Sequence, residues 1–243
     1  EYLYKLKDDD YLVDFDINFV GMEDIIADRD KMNLEWQMKT PQTEKSKESQ
    51  DMYTGIHYQY QSTKEVDYVS FNSDEEEIID KGDLSWVAFK QQFFSAIFIS
   101  KGENGFNSTT LISEKNPNIE NKGIDFIKDL SMKTGYTFKN ETYESLKFQF
   151  YFGPNHYKTL ESYNSGFEEL IYLGFMWIDT LVNKHIVINL FDFLSKYFSS
   201  YGLIILLLTL IIKLCLAPFT YKAFLSQAKM KVLKPEIDKI NEK

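Results

Sequence analysis

The sequence predicts a mainly β domain, a sandwich of short strands, followed by an amphipathic helix and one membrane-spanning helix. Three observations carry that expectation. Stretches of alternating apolar and polar residues recur between turn signals through the first two thirds of the chain. Apolar residues then take up helical spacing just before residue 200, and residues 201–219, YGLIILLLTLIIKLCLAPF, are almost wholly apolar. Those nineteen residues would rise about 28 Å as a helix, close to the ~30 Å hydrocarbon core of a bilayer.

Taken in order, the first clear strand begins at Val13. Val13, Phe15, Ile17 and Phe19 fall on one face and Asp14, Asp16 and Asn18 on the other, the period-2 pattern of a half-buried strand. Residues 40–50 are polar and read as a loop. Residues 53–60 alternate again, with Ile56, Tyr58 and Tyr60 opposite His57 and Gln59. Glu75, Glu76 and Glu77 with Ile78 and Ile79 read as a solvated segment beside the sheet. Residues 85–100, SWVAFKQQFFSAIFIS, suit a central strand or a bent pair, and Glu103-Asn104-Gly105 supplies the turn after it. Residues 136–138 and 148–152 add strands, the last stopped by Gly153-Pro154. Many short strands with turns between them favour a β-sandwich. A short helix is expected over residues 155–163, with Asn155 as its N-cap.

Residues 174–200 change texture. Phe175, Met176, Trp177 and Ile178 lead into Val187, Leu190, Phe191, Leu194 and Phe198 at helical spacing, with Asn189, Asp192, Ser195, Lys196 and Ser199 on the other face. An amphipathic helix immediately before a span is expected to lie in the membrane interface with those five apolar residues toward lipid; the alternative is a core helix docked on the sandwich. In the span itself Lys213 is the anomaly. A Lys at the centre of a span costs on the order of 2.5–3.5 kcal/mol, so it needs a wet cavity, a partner or a route to the headgroups. Snorkelling toward the interface is the plain reading of such a residue. Pro218 ends the apolar run, and Lys222, Lys229, Lys231 and Lys234 after it mark the C-terminal side as cytoplasmic. The expected divisions are a β domain over 1–165, a linker and interfacial helix over 166–200, the span over 201–219 and the start of a cytoplasmic helical region over 220–243.

Charge and composition narrow the function. Residues 213–243 hold seven Lys against three acids, which leaves 20 basic and 34 acidic residues before them. An acidic exported domain argues against nucleic acid as a partner. The single cysteine, Cys215, lies in the span, so the exported part has no disulfide. The chain opens on EYLYKLKDDD, which is not a signal peptide, and an upstream signal or anchor is expected. His57, His156 and His185 are scattered, with no metal-ligand spacing, and no glycine-rich phosphate loop or nucleophile elbow is present, so no metal, cofactor or catalytic residue is expected. Asp14, Asp16 and Glu75–Glu77 are the carboxylates to weigh as an acid–base pair, and their alternation or clustering is that of solvated faces.

The segments KGDLSWVAFKQQFFSAIFI (81–99), FQFYFGPNHYKTL (148–160) and YGLIILLLTLIIKLCLAPFTYKAFLSQAKMKVLKPEIDKI (201–240), with the amphipathic helix between the last two, resemble the bacterial YidC insertases of the YidC/Oxa/Alb family. The most specific pieces are Trp86 with Gln91-Gln92, Phe152-Gly153-Pro154, and the passage from Pro218-Phe219-Thr220 to Ala228-Lys229-Met230. The resemblance implies a β-supersandwich periplasmic domain, an interfacial helix and the first span of a five-helix core whose remainder lies beyond Lys243. It also implies an inner-membrane insertase and chaperone working without cofactor, with nascent membrane proteins, the Sec translocon, the ribosome and the lipid bilayer as partners. The family's working residue is a positive charge facing a hydrophilic groove. Lys213 stands at that position, where most relatives carry Arg, and Thr209 lies one turn before it. The competing class is a membrane-anchored periplasmic binding or scaffold module, for which a central charge in the span has no use.

Overall fold

Strands form where every second side chain has a core to enter, and two antiparallel sheets result. The structure, a computed structural model, describes residues 1–26, 32–69, 74–80, 83–119, 123, 126–139, 141–174 and 176–241. Lys81, Gly82 and Phe175, cited above, lie outside the described residues. In chain order the strands are β1 (Tyr2–Leu6), β2 (Leu12–Val20), β3 (Met32–Lys39), β4 (Gly55–Tyr60), β5 (Val66–Tyr68) and β6 (Glu75–Ile79). They continue with β7 (Leu84–Lys90), β8 (Phe94–Ser100), β9 (Asn107–Lys115), β10 (Lys128–Tyr136) and β11 (Tyr143–Pro154). The larger sheet has the order β1-β2-β11-β8-β7-β4-β5, and the smaller has β3-β10-β9-β6.

The main core lies between the sheets. Phe15, Ile56, Tyr58, Val87, Phe89, Phe98 and Phe148 from the larger sheet meet Leu111, Leu130 and Met132 from the smaller. Trp36 of β3 stacks on Phe89 of β7 with ring centroids 3.8 Å apart. A second core sits on the outer face of the larger sheet, where Trp86, Ala88, Ile97, Ile99 and Tyr151 are covered by Leu160, Phe167 and Leu170. Those three come from α2 (Tyr157–Ser162) and the 3-10 turn Phe167–Leu170. The Trp86 indole N–H donates to the carbonyl of Ser165 at 2.9 Å, which ties this cover to the sheet. Beyond the reach of the smaller sheet, Tyr2, Tyr4 and Leu6 on β1 stay exposed, with Tyr4 stacked on Phe15 at 4.7 Å.

Several expectations change in the structure. Residues 40–50 are not all loop: α1 (Lys47–Tyr53) starts within them, with the Ser46 hydroxyl accepting from the Ser49 N–H at 3.2 Å. The helix carries Gln50 and Asp51 on its buried side, so no apolar period announces it. Buried Lys128 explains why: its ammonium donates to the carbonyls of Asp51 (3.1 Å) and Thr54 (2.8 Å) and pairs with the Asp51 carboxylate at 3.2 Å. Lys115 reaches the same carboxylate at 2.5 Å. The 53–60 strand accordingly starts at Gly55, and Tyr53 closes the helix. Glu75–Ile79 is the edge strand β6 of the smaller sheet; Glu75, Glu76 and Ile78 are solvated as expected, while Ile79 is buried and the Tyr58 hydroxyl donates to Glu77 at 2.6 Å. Residues 85–100 resolve into the antiparallel pair β7 and β8. Tyr136 ends β10 instead of starting a strand, and β11 runs through Gly153 and Pro154, which pair with Ser95 and Phe94. His156, not Asn155, is the N-cap of α2. Asn155 instead binds the β7–β8 connection: its side-chain amide donates to the carbonyl of Gln91 at 2.8 Å, and its backbone N–H to that of Phe93 at 2.7 Å.

The chain divides into two compact units, Glu1–Ile171 and Tyr172–Lys243. The second unit is helical: α3 (Trp177–Val182), a π-turn (Asn183–Val187), α4 (Ile188–Ser195) and α5 (Tyr201–Asn241). The first three run on without a break, and α5 passes straight through Pro218.

Candidate functional site

The membrane-proximal unit holds the residues singled out from the sequence. Leu203–Ile212 has no backbone breaker, and Leu, Ile and Thr there continue one helix; α5 is long and apolar enough to cross a membrane over Tyr201–Lys231. Every side chain described in α5 other than that of Ile204 is exposed or half-buried. Lys213 is exposed, and Thr209 is one turn before it, so the two share a face. The Thr209 hydroxyl donates to the Ile205 carbonyl at 2.8 Å, and that of Thr220 to Leu216 at 3.0 Å, which satisfies both donors inside the helix. Thr220, Gln227 and Lys231 follow Lys213 at intervals of seven, seven and four residues, and extend the same polar stripe toward the end of the apolar segment. The spacing of this stripe is visible in the letters alone.

The five residues assigned to an amphipathic face are placed differently from one another. Leu194 is buried, Val187, Leu190 and Phe191 are half-buried, and Phe191 lies parallel to Tyr201 with centroids 6.2 Å apart. Leu194 and Ile204 are the two buried apolar side chains of this unit among the described residues, and they belong to the two helices, α4 and α5, that meet there. Phe198 falls beyond the end of α4, in the link to α5, and is exposed. The helix therefore carries more of its exposed apolar surface on residues that the even 3.6-residue period does not select. The π-turn lies between those residues and Trp177–Val182, and its extra residue shifts the phase of one group against the other.

The remaining chemistry-bearing groups do not assemble. Asp14 and Asp16 lie on β2, and the Asp14 carboxylate accepts from the Gln149 amide at 2.5 Å. Glu75, Glu76 and Glu77 are on β6, in the other sheet. The three histidines occupy β4, the cap of α2 and the π-turn, and no group of three potential metal ligands is found among the described residues. Burial holds the His57 imidazole neutral, with its pKa pushed down to about 3, and neighbouring Lys90 adds to the effect. Burial likewise lowers Lys90 to about 8, and its ammonium donates to the Tyr53 carbonyl at 3.3 Å.

Residues 1–184 match the family model described as the YidC periplasmic domain, and residues 193–243 match the one described as 60Kd inner membrane protein. Among curated relatives, the membrane protein insertase YidC of Bacteroides fragilis is 38% identical over 250 residues, covering 100% of this chain and 39% of the relative. That of Parabacteroides distasonis is 36% identical over 256 residues, covering 100% and 38%. That of Porphyromonas gingivalis strain W83 is 33% identical over 252 residues, covering 99% and 38%. The chain thus spans less than two fifths of the length of these relatives.

Proposed function

The chain belongs to the YidC family of membrane protein insertases, and from that premise we propose that it is the periplasmic domain and first groove-lining span of an inner-membrane insertase. The observation that carries the reading is Lys213, a charge exposed in mid-span and aligned with Thr209 on one face of α5. In this reading a nascent segment enters a hydrophilic groove from the cytoplasm. Its polar tail is held by water and by Lys213, and its apolar part then slides into lipid. Partitioning supplies the energy, roughly 0.3–0.6 kcal/mol for each Leu, Ile, Phe or Val at the helix centre. The membrane potential draws an acidic tail outward at about 2.3 kcal/mol per charge per 100 mV. No covalent step, metal or cofactor takes part. Nascent membrane proteins are the substrates, with the ribosome and the Sec translocon as working partners, and the helix formed by α3, the π-turn and α4 lies in the outer interface.

The test replaces Lys213 in the full-length protein, in cells depleted of their own insertase, and follows several small substrates with acidic exported tails. Lys213→Arg is expected to insert them normally. Lys213→Leu and Lys213→Ala are expected to fail, and Lys213→Glu most severely, since like charges repel the tail. Normal insertion of every substrate by Lys213→Leu would sink the groove role and favour a tethered scaffold.

A further inference from the structure

The two sheets of the β domain do not cover each other evenly. On β10, Leu130, Met132 and Thr134 are buried, whereas their partners across the ladder on β3, Met38, Trp36 and Leu34, are only half-buried. The Trp36 ring reaches Phe89, Phe98 and Phe150 on β7, β8 and β11. Past β11 the larger sheet continues through two more strands, β2 and β1. Directly opposed residues of an antiparallel pair share a face. Tyr2 and Tyr4 therefore stand beside Ile17 and Phe15 on the face of the main core, and Leu6 stands there beside Val13. These three residues of β1 are 69%, 61% and 68% exposed. A groove results, with an apolar floor on β1 and an apolar wall on β3.

The strand edges on this side lack the usual protection. At the opposite side of the domain the outermost strands are β5, three residues long, and β6, which opens on three glutamates. Short or charged edges of that kind resist further pairing. Strand β3 is eight residues long, turns Met32, Leu34, Trp36 and Met38 inward, and contains no proline and no inward charge. Left open, such an edge is a template for another strand. On β1, Glu1 and Asn18 exchange both backbone hydrogen bonds at 2.8 Å. The alternation of an antiparallel ladder then turns the N–H and C=O groups of Tyr2, Tyr4 and Leu6 away from β2.

We propose that the segment preceding Glu1 in the full-length protein fills this groove. It lays at least one further strand on β3, which extends the smaller sheet over β2 and β1 and turns apolar side chains down onto Tyr2, Tyr4 and Leu6. More than half the length of each relative lies outside the part that this chain matches, which is ample for such a strand. Strand β1 enters the fold at the floor of the groove, and a connection from there to the smaller sheet need cross only about 10 Å, the separation of packed sheets.

The test uses the full-length protein. Amide hydrogen exchange is first followed across residues 32–39 without any substitution. With strands on both sides, β3 is expected to exchange as slowly as its neighbour β10, which is interior to the sheet. Fast exchange at every second amide of β3 would mean an open edge and would overturn the proposal, whether or not any variant folds. A benzophenone amino acid is then placed at position 4 or 6, in an equal mixture of isotopically light and heavy protein, and its adducts are mapped by digestion and mass spectrometry. Adducts within one polypeptide, to residues upstream of Glu1, are expected. Adducts joining light to heavy protein would assign the groove to a second copy, and adducts to another protein or to lipid would assign it to a separate partner. Adducts to residues beyond Lys243 would assign it to a different part of the chain. Each of these results, and equally the absence of any adduct at both positions, would overturn the proposal.

Discussion

Lys128 sits in the fold against the habit of its type: 2% exposed, on a strand whose other inward residues are Leu130, Met132 and Thr134. Its charge is offset by two carbonyls and by Asp51, which leaves α1 fastened to β10 through polar atoms. Burial lowers the Lys128 pKa, and Asp51 opposes that shift. Asp51→Ala is therefore expected to cost about 3 kcal/mol of unfolding free energy, because a buried cation loses its counter-charge. Lys128→Met, which removes the charge and keeps the length, is expected to cost less in the same denaturant titration. His57 makes a second prediction. Its folded pKa of about 3 lies below the ordinary 6.5, so between those values the unfolded chain takes up a proton that the folded chain refuses. Stability from this site is intact above pH 6.5 and falls as pH drops toward 3, by about 1.4 kcal/mol per unit. Urea unfolding at pH 5 should thus show a loss of about 2 kcal/mol relative to pH 7, and His57→Gln should flatten that slope.

Among the elements, β2, β4 and the β7–β8 pair were legible because the residues they send into the main core, such as Phe15, Ile56, Tyr58, Val87, Phe89 and Phe98, are apolar or aromatic. Strands β9 and β10 were not, since Thr109, Ser113, Lys128 and Thr134 occupy inward places and break the alternation. Thr109 and Thr134 satisfy each other, hydroxyl to hydroxyl at 3.2 Å, and no single-strand pattern contains that cross-strand pairing. Strand β3 did carry its signal, with Met32, Leu34, Trp36 and Met38 alternating against Asn33, Glu35, Gln37 and Lys39. The span and Lys213 were plain in the letters. The π-turn in the preceding helix was not, because such a turn has no composition that announces it. At the turn after β8, Gly105 has φ +61°, and a Cβ there would lie 2.4 Å from the Leu84 carbonyl. Gly105→Ala is expected to cost on the order of 1–3 kcal/mol, because both strain and clash fall on backbone. A lowered midpoint of thermal unfolding, with the strand content unchanged at 20 °C, would register it.

For the molecule as a whole, the two units differ in what holds them. Glu1–Ile171 has cores on both faces of its larger sheet, whereas Tyr172–Lys243 buries little of its apolar surface within itself. A fragment ending at Ile171 is accordingly expected to stay soluble without detergent and to unfold in one cooperative transition; a gradual, featureless melt would contradict this. The unit from Tyr172 onward is expected to need detergent or lipid to remain in solution. In that second unit, α5 rises about 26 Å from Tyr201 to Pro218 and about 35 Å more to Asn241. Pro218 has no N–H to offer the Leu214 carbonyl, so the rod has a weak joint one hydrocarbon thickness along its length. Mechanically α5 is a rod of two arms that pivot at Pro218, where the missing hydrogen bond makes bending cheapest. A pull at the C-terminal end is expected to bend the helix at that joint and to leave the turn carrying Thr209 and Lys213 straight.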